Sequence, residues 1–346
     1  MTHSTTEPIV VDTRAEPAAT GTAVPSRTER VAAAVQRHGA LAVLILATAV
    51  AAAVFPSFGT LDNAHNVAIQ SSFLAIVALG MTFVIISGGI DLSVGSVFAL
   101  GGVLAAYASR WGLLPALLLP LAVCGLIGAV NGVLVAKARM PAFIVTLASL
   151  LGARGLLLAI THEGADTFLV SKGSAFAGLG QGTVAGFGYP VLIAVGAFLL
   201  GGLVLHRTRM GQSLYAVGGS EDAASLMGLP VARIRIIVYL LSGLLAGLAG
   251  ALNAARLSSG VTILGVGLEL DAIAAVVIGG TLLVGGAGTV SGTLCGVLLL
   301  GVIQNVINQI GTLDSSYQSV VSGAFLIVVV VAQTYLSRTQ RIRSGS

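Results

Sequence analysis

Residues 80–96 read GMTFVIISGGIDLSVGS. An apolar run meets Gly88 and Gly89, then one carboxylate, Asp91, then Ser93 and Gly95. Two glycines, an acid, a serine and a glycine make a turn or a broken helix. Broken helices of this kind occur in membranes where backbone lines a cavity. Asp91 followed by Ser93 also suits a cap on the next helix. Capping and a place on a polar path are both open to Asp91 at this point.

The chain stays apolar on both sides of this break. Charge-free runs cover 38–61, 63–90, 92–109, 111–136, 173–206, 236–255, 272–313 and 315–337. Only 9% of the 346 residues are charged and 56% are apolar. The mean hydropathy is +1.00. Soluble domains carry about 25% charged residues, so a water-soluble globular protein is excluded. The 46 glycines follow no G-X-Y period, which excludes collagen. A span needs about 20 apolar residues. The runs therefore predict an all-α polytopic membrane protein of about ten transmembrane helices, some of them broken. The expected spans are 40–55, 65–87, 92–108, 113–136, 141–160, 186–206, 236–255, 269–285, 289–310 and 317–336. The long run 272–313 holds two segments divided by Gly279-Gly280 and Gly285-Gly286. This resembles the Gly88–Gly95 break, and breaks at corresponding positions point to a transport pathway.

Basic residues mark the cytoplasmic side. With ten spans both termini share a side. If that side is the cytoplasm, thirteen of the seventeen Lys and Arg lie inside, and only Arg110, Lys172 and Arg256 lie outside. Arg154 falls within a span, where it pairs with a carboxylate or with backbone carbonyls. The net charge of +4 is thus a topology signal, and no basic domain exists to hold nucleic acid. Residues 1–38 are polar, with no apolar stretch of the kind a signal peptide needs, and read as a disordered cytoplasmic tail. A second short tail covers 338–346, leaving 39–337 as the membrane domain. Cys124 and Cys295 fall in spans and read as small core residues. The five histidines sit at or beyond span ends, which leaves no histidine proton relay.

Two loops are long enough to do work. The outer one, 161–185, is a connector or a partner-facing element. The inner one, 207–235, reads RTRMGQSLYAVGGSEDAASLMGLPVARIR. Ser220 caps a short helix there, with Glu221 and Asp222 in its first turn. Gly228 ends it and Pro230 prevents its continuation. A short cytoplasmic helix between two halves of a bundle is a docking element or a solvated loop helix.

Neutral polar residues also fall within the spans: Asn66, Gln70, Ser71, Asn131, Thr146, Asn253, Gln304, Asn305 and Asn308. Such side chains either join helices or line a polar path. Glu269 and Asp271, two apart, do not share a helix face and form no carboxylate pair. The chain has no G-x-x-x-x-G-K-[ST] phosphate loop, so any ATPase must be another chain.

The stretch 80–96 closely resembles the signature segment of ribose/xylose-type sugar ABC importer permeases. Asn131-Gly132, Pro141 to Leu147 and Tyr215 to Gly218 are similar to the same family. So are Glu221 to Gly228, Gly267 to Thr281 and Gly285 to Thr289. The likeness covers roughly 40–336. Ser220 stands where the family commonly has Asn, and Leu282 where it commonly has Ser. The resemblance implies a type II-like importer bundle that dimerises with a second permease copy. It implies a cytoplasmic ATPase carrying ATP and magnesium, an extracytoplasmic sugar-binding protein, and no cofactor or catalytic residue on this chain. It assigns Gly218, Glu221 and Gly228 to ATPase coupling. Asp91, Ser93, Asn131 and Asn305 then lie near the translocation path or its gate, with Gly88, Gly89, Gly95, Gly279 and Gly280 as broken-helix glycines. The competing classes are an ion- or proton-coupled carrier, which needs buried titratable groups, and an intramembrane enzyme, which needs a catalytic cluster.

Overall fold

The computed structural model describes residues 27–310 and, beyond them, positions 320, 323, 324, 327 and 331, with side chains from Gly39 onward. The described residues are almost entirely helical, as the composition requires. The helix α2 (Leu61–Ile86) is the central element. Thr60 caps it by accepting the Asn63 amide at 3.2 Å, and Asp62 in its first turn favours the positive helix end. Every residue from Ser71 to Ile86 is buried. Around it pack α10 (Val231–Leu257), α7 (Tyr189–Arg207), α11 (Leu268–Ile278) and α12 (Val290–Ile310), while α3 (Val94–Ala108) packs chiefly on α10. The helices α4 (Leu113–Ala136) and α5 (Ala142–Ile160) lie outside this core. The outer position of α5 shows in its burial: only Val145, Thr146, Ala153 and Leu157 are buried. A first helix, α1 (Arg27–Val54), packs on α12.

Small residues let the backbones of α10, α3 and α4 approach. A Cβ on Gly101 would sit 2.8 Å from the Gly247 Cα, and one on Gly132 would sit 2.7 Å from the Ile236 Cα. Both are closer than carbon atoms tolerate. Association in lipid depends on such packing because the hydrophobic effect no longer drives it.

Among the described residues, six helices are long and apolar enough to cross a membrane: α2, α4, α5, α7, α10 and α12. The other expected spans differ in length, for physical reasons. The expected span 40–55 is the apolar end of α1, stopped before Pro56, whose ring disfavours helix at the preceding residue. The expected span 92–108 starts only at Val94. Its fifteen residues reach about 22 Å, short of the roughly 30 Å hydrocarbon layer. The expected span 269–285 is the eleven-residue α11, which stops where Gly280 turns to φ +88°. The tenth, 317–336, lies outside the described residues, as do the tail 338–346 and residues 1–26. The helix α1 reaches back to Arg27, inside the segment 1–38 expected as tail.

The outer loop is folded onto the bundle. It contains the short α6 (Ala175–Gln181) and a hairpin of β1 (Thr183–Val184) and β2 (Phe187–Gly188). Gln181 donates to the Arg256 carbonyl at 3.1 Å and pairs with the Ser258 hydroxyl at 2.8 Å, so it covers the end of α10. The inner loop holds α8 (Arg209–Gly219) and α9 (Glu221–Leu226). The latter forms where Ser220 caps it, accepting the Ala223 amide at 3.3 Å, and Gly228 at φ +78° closes the turn after it.

Candidate functional site

The α2–α3 break is held by one buried carboxylate. Asp91 Oδ1 accepts the Ser93 amide at 3.0 Å and the Ser93 hydroxyl at 2.6 Å. Its Oδ2 accepts the Ser242 hydroxyl of α10 at 2.8 Å. Ser93 Oγ in turn accepts from Asn131 Nδ2 of α4 at 3.2 Å, and Asn131 Oδ1 accepts the Ser149 hydroxyl of α5. Asp91, Ser93, Asn131 and Ser242 are all buried. The network ties the break to three helices. Tyr239, three residues before Ser242, donates to the Ile90 carbonyl at 3.2 Å and secures the turn a second time. In this conformation both Asp91 oxygens are engaged, so the carboxylate ties the turn to α10. Of the four residues that sequence reading set near the path, Asp91, Ser93 and Asn131 meet here; Ser242 and Ser149 were not foreseen. The available signal was a serine beside glycine, Ser242-Gly243, in an otherwise apolar run.

Asn305 is not part of this network. It exchanges two amide bonds with Asn63, at 3.1 and 2.8 Å, and accepts from Gln309 at 2.8 Å. That ladder joins α12 to the first turn of α2. Gly95 sits elsewhere again. A Cβ there would run into the Gly265 carbonyl and the Glu269 carboxylate, so glycine admits the loop 258–267 against α3. Arg154 holds the same loop by donating to the carbonyls of Thr262 and Leu264, at 2.8 and 3.1 Å. Of the two partners expected for Arg154, backbone carbonyls are therefore its hydrogen-bond acceptors.

The two breaks and the inner loop meet at one point. The Gly286 amide donates to the Ile86 carbonyl at 2.9 Å, joining the loop after α11 to the end of α2. Gly285, at φ +90°, lets its neighbours lie against Gly88, whose Cα is 2.8 Å from where a Cβ would be. Gly218, near the end of α8, faces the same place. A Cβ on it would overlap the Ile86 carbonyl oxygen and stand 2.6 Å from the Gly286 amide nitrogen. Tyr215, one turn earlier, donates to the Gly288 carbonyl at 2.7 Å. Burial pushes the Tyr215 phenol up from its ordinary range, so it stays a donor. Gly279 packs where the Gly292 carbonyl leaves no room for a side chain, and Gly280 makes the turn that ends α11.

The three residues assigned to coupling thus divide. Gly218 faces inward against the breaks. Glu221 stands half exposed and binds Arg235 through both oxygens, at 3.1 and 2.7 Å. Gly228 shapes the turn with open space around it. At the end of α9, Leu226 and Met227 expose apolar side chains, 89% and 68% accessible. No group of three or more His, Cys, Asp or Glu able to hold a metal occurs among the described residues.

Comparison with known proteins agrees with this architecture. Residues 63–330 match the family described as the permease component of the branched-chain amino acid transport system. The ribose import permease protein RbsC of Escherichia coli K12 is 44% identical over 84% of this chain and 91% of its own length. RbsC of Haemophilus influenzae is 41% identical over 85% of this chain and 91% of its own length. The L-arabinose ABC transporter permease protein AraH of Azospirillum brasilense is 36% identical over 89% of this chain and 90% of its own length. No solved structure matches the chain significantly. The chain therefore belongs to the family of branched-chain amino acid transport system permease components, and it is a multi-pass membrane protein.

Proposed function

We propose that this chain is the permease subunit of an ATP-driven importer that carries a monosaccharide of the ribose or arabinose class into a bacterial cell. The observation that carries the reading is the extent of likeness: sugar permeases align with 84–89% of the chain at 36–44% identity. The amino-acid wording of the family description is the broader label, and the curated relatives named above are all sugar permeases.

In this reading the inner loop 207–235 docks on a cytoplasmic ATPase, which holds ATP and magnesium. Gly218 and Tyr215 support a mechanical role, because α8 lies directly on the backbone of both helix breaks. A push on α9 would then be felt at Gly88 and Gly286. Asp91, Ser93 and Asn131 keep the first break rigid while it moves, and the Asn63–Asn305 ladder does the same for the opposite end of α2. An extracytoplasmic sugar-binding protein delivers the cargo, and a second permease copy completes the path. The domain 39–337 crosses the inner membrane about ten times, with α3 and α11 crossing as short segments of broken helices and both termini in the cytoplasm. The permease performs no chemistry and binds no cofactor.

Vesicles holding the permease, the ATPase and the binding protein test this. ATP-dependent ribose or arabinose uptake is expected. Uptake by the permease alone, driven by an ion gradient, would instead establish a secondary carrier.

A further inference from the structure

At the cytoplasmic boundary a groove of about 1070 Å³ lies between the α4–α5 turn and the start of α10. Its rim carries Lys137 and Arg139 from the turn, Arg233 and Arg235 from α10, and Glu221 and Asp222 from α9. Arg235 is already spent on Glu221. Lys137, Arg139 and Arg233 make no ion pair among the described residues. Lys137 directly follows the last residue of α4, and Arg233 lies in the first turn of α10. The three cations therefore stand where spans leave the bilayer.

Two further observations say what they face. From Met140, which lines the groove, exposed apolar side chains continue into α5 as Phe143, Ile144 and Leu147. A charged rim above an apolar row matches a phosphate headgroup with acyl chains beneath. Arg139 also sits in the left-handed region, at φ +54°. Arginine is disfavoured there and glycine is not. A strained turn that keeps a cation points to use of the side chain.

We propose that this groove binds the headgroup of an anionic phospholipid of the inner leaflet, with Lys137, Arg139 and Arg233 around the phosphate. Basic pockets between helices on the cytoplasmic side bind such headgroups. The exposed apolar side chains of the inner loop, Leu226 and Met227, lie outside this groove, and of the inner-loop acids that line it Glu221 is held by Arg235, so the three cations remain for an anion.

The test is titration of the purified full-length permease in detergent with phosphatidylglycerol, phosphatidylethanolamine or inorganic phosphate, read by native mass spectrometry. Wild type is expected to retain phosphatidylglycerol over phosphatidylethanolamine. Arg139→Gly is expected to weaken retention about fivefold, the worth of one base near an anionic headgroup. This variant relaxes the turn, so its thermal stability is unchanged or higher and misfolding cannot explain the loss. The double variant Lys137→Gln with Arg233→Gln is expected to lose about twenty-five-fold. Equal retention in wild type and both variants overturns the proposal. Competition by inorganic phosphate as effective as that by the lipid makes the groove a free-anion site and also overturns it. Unchanged lipid retention with loss of ATPase co-purification would assign the groove to the protein partner instead.

Discussion

The Gly286 amide donates to the Ile86 carbonyl at 2.9 Å, across two hundred residues of chain, and Gly218 of α8 closes over the same oxygen. Three glycine-bearing segments thus share one contact. Two are the ends of broken helices and the third belongs to the inner loop 207–235. The relationship explains why glycine stands at 218 in α8 and at 286 after α11.

Gly218→Ala tests that contact. Its Cβ would meet the Ile86 carbonyl, which cannot withdraw without losing the Gly286 bond. Overpacking of this kind costs about 1–3 kcal/mol. The expected outcome is reduced sugar uptake with ATP hydrolysis retained, measured together in reconstituted vesicles. Gly219→Ala is the control, because nothing lies within 4 Å of its Cβ position, and it should transport as wild type does.

Asp91→Ala leaves the Ser93 amide and the Ser93 and Ser242 hydroxyls to find new partners inside the bundle. Each buried polar group left unpaired costs about 1–3 kcal/mol. Thermal unfolding in detergent should show a clear loss of stability. Ser242→Ala removes one bond only and should lose less.

Glu221→Arg breaks the pair with Arg235 and sets two cations together. The pair is partly exposed, so solvent screening limits its worth to about 0–1 kcal/mol and stability should hardly change. Co-purification with the ATPase should nevertheless fall. The exchange Glu221→Arg with Arg235→Glu restores an ion pair. If assembly stays lost in the exchanged protein, Glu221 acts on the partner; if assembly returns, it acts through Arg235.

Tyr215 gives a pH prediction. Its burial raises the phenol above the ordinary value near 10, so the neutral donor persists across the range in which the importer works. The Gly288 bond is present below the raised phenol pKa and would be lost only as pH rises through it. Uptake measured between neutral and moderately alkaline pH should therefore show no step that Tyr215→Phe removes.

Local signals in the sequence were sufficient for local structure. Ser220, Gly228 and Pro230 mark the two ends of α9, and paired glycines mark both breaks. Span counting ran long at α11 and by two residues at α3, because a charge-free run does not show where backbone stops being helical. The helix α8 was also illegible, since Gly211, Gly218 and Gly219 weaken its helical pattern and Thr208 is a quiet cap. Side-chain partners were out of reach for a different reason. Helical spacing says that Asn305 and Asn308 share a face, but not that Asn305 meets Asn63 or that Asp91 meets Ser242. Those pairings come from packing between segments far apart in the chain.

Uptake of radiolabelled ribose into vesicles, with and without ATP, measures the central claim most directly. The account predicts accumulation only when permease, ATPase, binding protein and ATP are all present, with arabinose competing or replacing ribose as the cargo. Accumulation by the permease alone along an ion or proton gradient would contradict it.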